Sequence, residues 1–412
     1  MVASLEIEPI RAEIPATASL IYLNTGWQGP SPRSVIAAVQ ETFALEAEAP
    51  TAPPANAKRL EISRKARRAL ADLINATPEE VSLQQNTTEG INIVVSGLGL
   101  KPGDEVITCS LEHSSVVVPF YFSRERYGVT AKIVHLSAQD SDADILARFE
   151  EALTPASKLV VLSHVTYASG QLLPIRDICR LAHARGAYLL LDAAQSVGQM
   201  PVDIRELECD FCAFPGHKWL LGPAATGALY VRRDLIRRLE PPKVAHHAAD
   251  HYDFQGDFRP KVDAIEKFEL TTVSVPLLAG LAAAVEFIQG IGLEAMWERA
   301  LHLARYATAR LGHIPDIRLA SPEKEEAVAS GLVSFSLPGV PPEVVTACLW
   351  ERGRIVARTV PDASCTRLSL HVFNTETEVD AVAAIVEDLA RTGAPEGELP
   401  SACLESQVMA DL

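Results

Sequence analysis

The chain has 412 residues, 48% of them hydrophobic, with 37 Lys and Arg against 53 Asp and Glu and a formal net charge of −16. That length and apolar content can bury a large core, in two domains or in one with an appendage. With no Lys/Arg block interleaved with aromatics, the acidic balance gives phosphate-backbone binding little electrostatic support, so nucleic acid is not an expected partner.

The first residues, MVASLEIEPIRAEIP, carry acids early and no apolar segment of signal-peptide length. No stretch nears the roughly 18 uninterrupted apolar residues of a membrane span. A cytoplasmic protein without a membrane partner is expected. Between about residues 80 and 240 the apolar runs DEVITC, TAKIVHL, KLVVLSHV, AYLLLDAA, DFCAF and TGALYV alternate with helical patterns. Runs with so little period-2 alternation suit strands covered on both faces, and their spacing predicts a mostly parallel, doubly wound α/β sheet.

Past residue 270 the texture changes. An Ala-rich helix from Leu277 to Ile288 and a helical run from Leu293 to Leu311 precede a compact α+β set. There GLVSFSL, IVARTV and TRLSLHVF read as three short strands, with helices near Pro342 to Arg352 and Glu376 to Ala390. The expected division is a large domain over 18–270, a smaller one over 1–17 and 271–391, and a polar, mobile or neighbour-wrapping tail over 392–412. The odd count of seven cysteines, at Cys109, Cys179, Cys209, Cys212, Cys348, Cys365 and Cys403, argues against a disulfide framework.

Ligands of open α/β sheets bind outside the carboxyl ends of the strands. Here one buried run ends in Asp192, within LLLDAAQS, and Lys218 closes DFCAFPGHKW 26 residues later. A carboxylate leaving a buried strand needs a partner, which a pyridinium nitrogen supplies, and Lys218 beside Phe214 and Trp219 has a setting that favours a neutral, nucleophilic amine. Together they can hold pyridoxal phosphate, the lysine as its Schiff base and the aspartate on its ring nitrogen. Taken singly, Asp192 also reads as a helix cap and Lys218 as a surface residue after a turn.

QNTTEGIN, ending at Asn92, offers Thr87 and Thr88 at a helix start, either as an anion site or as a capping box. His217 is a second phosphate donor. His113, in CSLEHSS, can stack on a flat ring or cap the next helix, and Gln195 can reach a ring 3-oxygen.

These residues, in this order, resemble the class V aminotransferase family of pyridoxal-phosphate enzymes, of fold type I, which includes cysteine desulfurases, isopenicillin N epimerase and cysteine/cystine C–S lyases. The resemblance runs from about Tyr22 to Leu389 and is sharpest over DAAQSVGQMPVDIRELECDFCAFPGHKWLLGPAATGALYV. It implies a large domain with a mostly parallel, seven-stranded type of sheet and a smaller α+β C-terminal domain. By matching position it implies Lys218 as Schiff base, Asp192 as pyridinium partner, Gln195 on the 3-oxygen and His113 as catalytic ring stacker. Phosphate contacts are implied for Thr87, Thr88, Ser163 or His164, and His217. In this family a threonine of the other subunit also touches the phosphate; Thr272 in ELTTVSVP matches it, so a homodimer is implied.

Within the family the sequence is most similar to the cysteine/cystine C–S lyases, through YLNTGWQGP from Tyr22, SHVTYASGQLLP from Ser163 and RTVPDASCTRLSLHVFNTETEVD from Arg358. This implies Asn24, Gln28, Arg358 and Arg367 at the substrate, the arginines as a carboxylate clamp unless they are strand-edge surface charges. Cysteine desulfurases carry a reactive cysteine shortly after the arginine equivalent to Arg358. Here that stretch is TVPDAS, and Cys365 falls at the start of the next strand, where burial suppresses thiolate character. From Pro241 to Glu266, His246, His247 and His251 invite a metal reading, but the family has a variable active-site loop there, and no metal is expected.

The expected activity is β-elimination on cysteine, cystine or a related sulfur amino acid, with Lys218 taking the α-proton and pyruvate, ammonia and sulfide or persulfide as products. A cysteine desulfurase or selenocysteine lyase-like enzyme giving alanine, and a class V epimerase or aminotransferase, are the alternatives.

Overall fold

The computed structural model describes residues 5–395, so most of the tail expected over 392–412, Cys403 included, lies outside the described residues. The six apolar runs form six strands of one seven-stranded sheet, ordered Val81–Gln84, Gly227–Val231, Phe211–Pro215, Tyr188–Asp192, Ser157–Ser163, Glu105–Cys109, Thr130–Val134. Within this sheet Gly227–Val231 alone runs against the rest. Alternate residues of the same strands enter two cores. Ile107, Val160, Leu189, Leu191 and Phe214 lie on one face, and Val106, Leu159, Val161, Leu190 and Ala213 on the other. This two-sided burial removes the polar half of the usual period-2 pattern.

The chain runs from Glu105–Cys109 outward to Thr130–Val134, then returns to the other side of Glu105–Cys109 with Ser157–Ser163 and continues away. The direction of winding therefore reverses between Glu105–Cys109 and Ser157–Ser163, which opens a crevice at their carboxyl ends.

A second, antiparallel sheet has the order Arg318–Leu319, Leu332–Ser336, Cys365–Ser369, Arg358–Val360 and packs on helices Leu293–Gly312, Pro342–Gly353 and Glu376–Thr392. The IVARTV run divides: Arg358–Val360 joins this sheet, while Ile355–Val356 pairs in parallel with Ile21–Tyr22. Leu23 enters the core of the smaller unit, and the helix Val275–Ile291 sends Leu281, Val285 and Ile288 into the core of the larger one. Packing thus crosses the expected divisions at residues 18 and 270. The reason is that an Ala-rich helix, apolar on several sides, can bury itself against either unit. No single helix among the described residues is long and apolar enough to cross a membrane.

The two units are stitched beside the crevice. Arg367 Nη1 donates to Tyr167 O at 2.7 Å, Ser334 Oγ to Ala168 O at 2.5 Å, Ser330 Oγ to Gly170 O at 2.8 Å, and Gly331 N to Gln199 Oε1 at 2.9 Å.

The outer edge of the large sheet is closed by a side chain. Glu269 accepts from Leu83 N at 2.7 Å and from both terminal nitrogens of Arg67, at 2.7 and 2.9 Å, and Arg67 also donates to Val81 O. The pair satisfies a strand edge that would otherwise template association. Glu269→Ala leaves a half-buried guanidinium and an edge N–H unpartnered and should lower stability by about 3 kcal/mol in chemical denaturation. Lys65→Ala, which breaks an exposed pair with Glu286, should cost under about 1 kcal/mol.

Candidate active site

The carboxyl ends of the strands open into a cavity of about 480 Å³ whose wall includes Asp192, Lys218, His113, Thr87, Arg358 and Arg367. Asp192 is the last residue of its strand and only 4% exposed, with Oδ1 accepting from Ala194 N at 2.9 Å. Burial pushes its carboxyl up, and nearby Lys218 and the Ala194 N–H draw it back. Lys218 follows the neighbouring strand through a turn in which Gly216 N donates to Thr226 O and Leu221 N to Lys218 O. Gly29 packs directly on this turn, where any Cβ would fall 2.1 Å from Lys218 O. Burial lowers the Lys218 amine to about 8; Asp192 opposes that shift, and Arg367 and Arg358 add to it.

The anion corner is the start of helix Thr87–Gly97. Asn86, not either threonine, caps it, with Oδ1 accepting from Glu89 N at 2.9 Å. Thr87 and Thr88 therefore occupy the first turn, where backbone N–H groups have no helical acceptor. The Thr87 hydroxyl and His217 Nδ1 are both buried without a hydrogen-bond partner among the described residues. Burial, with Lys218 adjacent, holds His217 down at about 4. Ser163 also lines the cavity, but its hydroxyl donates to Glu112 Oε2 at 2.6 Å. The Ser163 hydroxyl is thus already engaged, and the strand register puts Ser163 beside Asp192. His164 is buried next to it, donating its backbone N–H to Asp192 O, with its ring held at about 4 by burial.

His113 combines its two readings. It caps helix Ser114–Tyr127 through Nδ1, which accepts from Ser115 N at 3.1 Å, and its ring faces the cavity at 87° to the Tyr167 ring, 4.9 Å away. Burial first, then Lys218, Arg358 and Arg367, lowers it to about 3, so it is a neutral aromatic plate. Gln195 accepts from Trp219 Nε1 at 2.8 Å and donates to Gly26 O at 2.9 Å, which fixes its amide orientation and leaves one N–H for a ligand.

Arg358 and Arg367 are directly opposed across an antiparallel pair. Like charges in that relation repel, and Arg367 is only 1% exposed, so burial and Arg358 bring it down to about 9. Its Nε and Nη2 are buried and unpartnered. A Cβ on Gly26 would stand 3.1 Å from Nη2, so glycine keeps the fork open. The Arg358 guanidinium lies 4.5 Å over the Trp27 ring. The two open nitrogens of the Arg367 fork, with Arg358 beside it in the same cavity wall, have the chemistry that suits a carboxylate.

Two expected contacts fall elsewhere. Asn24 is buried and bridges to Ser369, and Gln28 is exposed; neither lines the cavity, which Gly26 and Trp27 line instead. The chain enters the small sheet at Asn24 and turns, so the residues between the two expected ones face inward. Thr272 is exposed, at φ 61°, and does not line the cavity of its own chain. The 241–266 segment forms a hairpin of Ala249–Tyr252 with Phe258–Pro260, and His251 pairs with Asp257 at 3.3 Å. Among the described residues no group of three or more His, Cys, Asp or Glu is placed to hold a metal. The reading from sequence omitted Asn86, Glu112 and Asp362; only the Asn-Thr-Thr-Glu spacing could have signalled the first.

These residues fit pyridoxal phosphate. The Thr87 hydroxyl and His217 would hold its phosphate, Asp192 would face its ring nitrogen, His113 its ring, and Lys218 would supply the amine for its aldehyde. Uptake of the cofactor by cofactor-free enzyme, followed by absorbance, should therefore rise with pH about a midpoint near 8, the Lys218 value, well below the ordinary lysine range. Asp192→Asn removes the group that favours the ammonium form, so the midpoint should move down; an unmoved midpoint would exclude the pairing.

The family model for aminotransferase class-V matches residues 21–382. A probable cysteine desulfurase of Methanothermobacter thermautotrophicus is 31% identical over 406 residues, covering 94% of this chain and 99% of that protein. The cystine C–S lyase C-DES, solved with its reaction product cysteine persulfide, has a TM-score of 0.85 and 28% identity over 91% of this chain and 99% of its own. A variant of that lyase carries glycine covalently linked to its PLP cofactor. The apo cysteine desulfurase of Thermococcus onnurineus NA1 has a TM-score of 0.87 and 28% identity over 95% of this chain and all of its own, at 100%. With the sheet, the Asp192–Lys218 pair and a match of that extent in agreement, the chain belongs to the class-V aminotransferase family.

Proposed function

We propose that this pyridoxal-phosphate-dependent enzyme is a carbon–sulfur lyase that acts by β-elimination on cysteine, cystine or a related sulfur amino acid. The observation that carries the reading is the wall of the cavity, which brings together Lys218, Asp192, Arg358 and Arg367 and has no thiol among the described residues that line it. The solved C–S lyase and the desulfurase relatives support the same bond as the target.

Arg367 Nε and Nη2, with Arg358, hold the substrate carboxylate and so fix the α-carbon relative to Lys218. When bound, pyridoxal phosphate supplies the electron sink for a carbanion at that carbon. Lys218 Nζ, brought to about 8, accepts the α-proton at near-neutral pH. Asp192 supplies the negative charge that keeps a proton on the ring nitrogen, and neutral His113 covers the ring face without adding charge. The β-carbon–sulfur bond then breaks, and the resulting aminoacrylate takes up water to give pyruvate and ammonia. Sulfur leaves cysteine as sulfide and cystine as cysteine persulfide.

A second reading, a desulfurase that yields alanine, is favoured by the activity named for the relatives. It requires a reactive thiol at the cavity. Cys365 is fully buried with its thiol pushed up by burial, and the stretch before it forms a short helical turn, Pro361–Ala363, whose Asp362 accepts from Tyr167 OH at 3.0 Å. The other five described cysteines are buried too. Elimination is favoured because it needs no such thiol. A homodimer, with Thr272 at the partner's cofactor, remains part of the proposal; the exposed, left-handed setting of Thr272 supports it.

Three outcomes test this. Lys218→Ala should abolish turnover together with the lysine-linked cofactor absorbance. With cystine, pyruvate should form in step with consumption; stoichiometric alanine would transfer the assignment to a desulfurase. Arg367→Lys keeps the charge but loses the fork, and kcat/KM should fall on the order of 10- to 100-fold, mostly through KM.

A further inference from the structure

The ladder between Glu105–Cys109 and Ser157–Ser163 stops early. Its last paired residues are Ile107 and Val160, whereas Ser157–Ser163 stays paired with Tyr188–Asp192 to the end, Ser163 opposite Asp192. The two strands therefore part where the winding of the sheet reverses. Thr108 Oγ1 reaches across to Val161 O at 2.8 Å, and beyond it the gap is filled by one side chain, Glu112. Its Oε1 accepts from Ser163 N at 2.7 Å and its Oε2 from Ser163 Oγ at 2.6 Å, and Cys109 Sγ lies 3.5 Å from Oε1.

Glu112 is 7% exposed and outside the cavity wall, yet its chain neighbours on both sides of the gap are in that wall. His113 is the next residue, and Ser163 is the register partner of Asp192. An acid in such a position is costly unless hydrogen-bonded. Burial raises its carboxyl to about 7, and the two Ser163 donors draw it down.

We propose that Glu112 is a positioning residue of the cofactor site, a side-chain substitute for the missing ladder that fixes the His113 plate relative to the Ser163–Asp192 strand ends. Glu112 acts through reach, placing one acceptor on each Ser163 donor, and not through its charge. The inference rests on the cofactor reading of the cavity.

Two conservative variants separate reach from charge. Glu112→Gln retains the length and an oxygen for Ser163 N; Glu112→Asp retains the charge but withdraws the carboxylate by one methylene. The readouts are the rate at which each holoenzyme loses pyridoxal phosphate on dilution into cofactor-free buffer, and amide hydrogen exchange at 110–115 and 163–165. Glu112→Asp should lose cofactor about 10-fold faster, the scale of a buried donor left without its acceptor, with faster exchange in both segments. Glu112→Gln should stay within about 3-fold of the parent, since one acceptor is kept. A Glu112→Asp enzyme indistinguishable from the parent, or a Glu112→Gln enzyme that loses cofactor as fast as Glu112→Asp, overturns the proposal. A parent enzyme that takes up no pyridoxal phosphate overturns it together with the cofactor reading.

Discussion

The constraint on which the site depends is the placing of Asp192 and Lys218 at the carboxyl ends of adjacent strands, each in a setting that disfavours its own charge. Burial pushes the carboxyl up and the amine down, and each is the other's main electrostatic compensation. A group inserted between them that is cationic near Asp192 and carbonyl-bearing near Lys218 relieves both at once. The two-sided cores beneath the strands hold the pair in this geometry, since a shift of one residue in either strand would exchange the faces of every side chain on it.

The opposed arginines pose the same problem with one sign. Arg358 and Arg367 share a register position of the small sheet, and among the described residues the open nitrogens of the Arg367 fork have no hydrogen-bond partner. Their repulsion is the electrostatic image of the ligand. A carboxylate would satisfy it, whereas a neutral group of the same shape would leave the buried Arg367 fork without an anion.

The sheet was legible because its strands are apolar on both faces, so DEVITC or AYLLLDAA can be read without neighbours. Val81–Gln84 was not, since Val-Ser-Leu-Gln carries no such run and is a strand only through its pairing with Gly227–Val231. The division of IVARTV was equally hidden, because Ile355–Val356 finds its partner at Ile21–Tyr22, far away in sequence. Asp192, Lys218, His113, Thr87 and the arginines were readable because each residue type has a matching fragment of cofactor or substrate. The bond of Ser163 to Glu112, and Glu112 itself, were overlooked for one reason. Their roles follow from where two strands separate, which no local pattern encodes.

The stitches that join Arg367, Ser334, Ser330 and Gly331 to the Tyr167–Gly170 loop and Gln199 bind the carboxylate clamp to the body that carries Lys218. The arginine pair is therefore held in place against that body. Affinity then loses little to ordering on association. Discrimination among ligands that carry a carboxylate would then fall to shape and charge at first encounter, and a poorly fitting one would leave quickly.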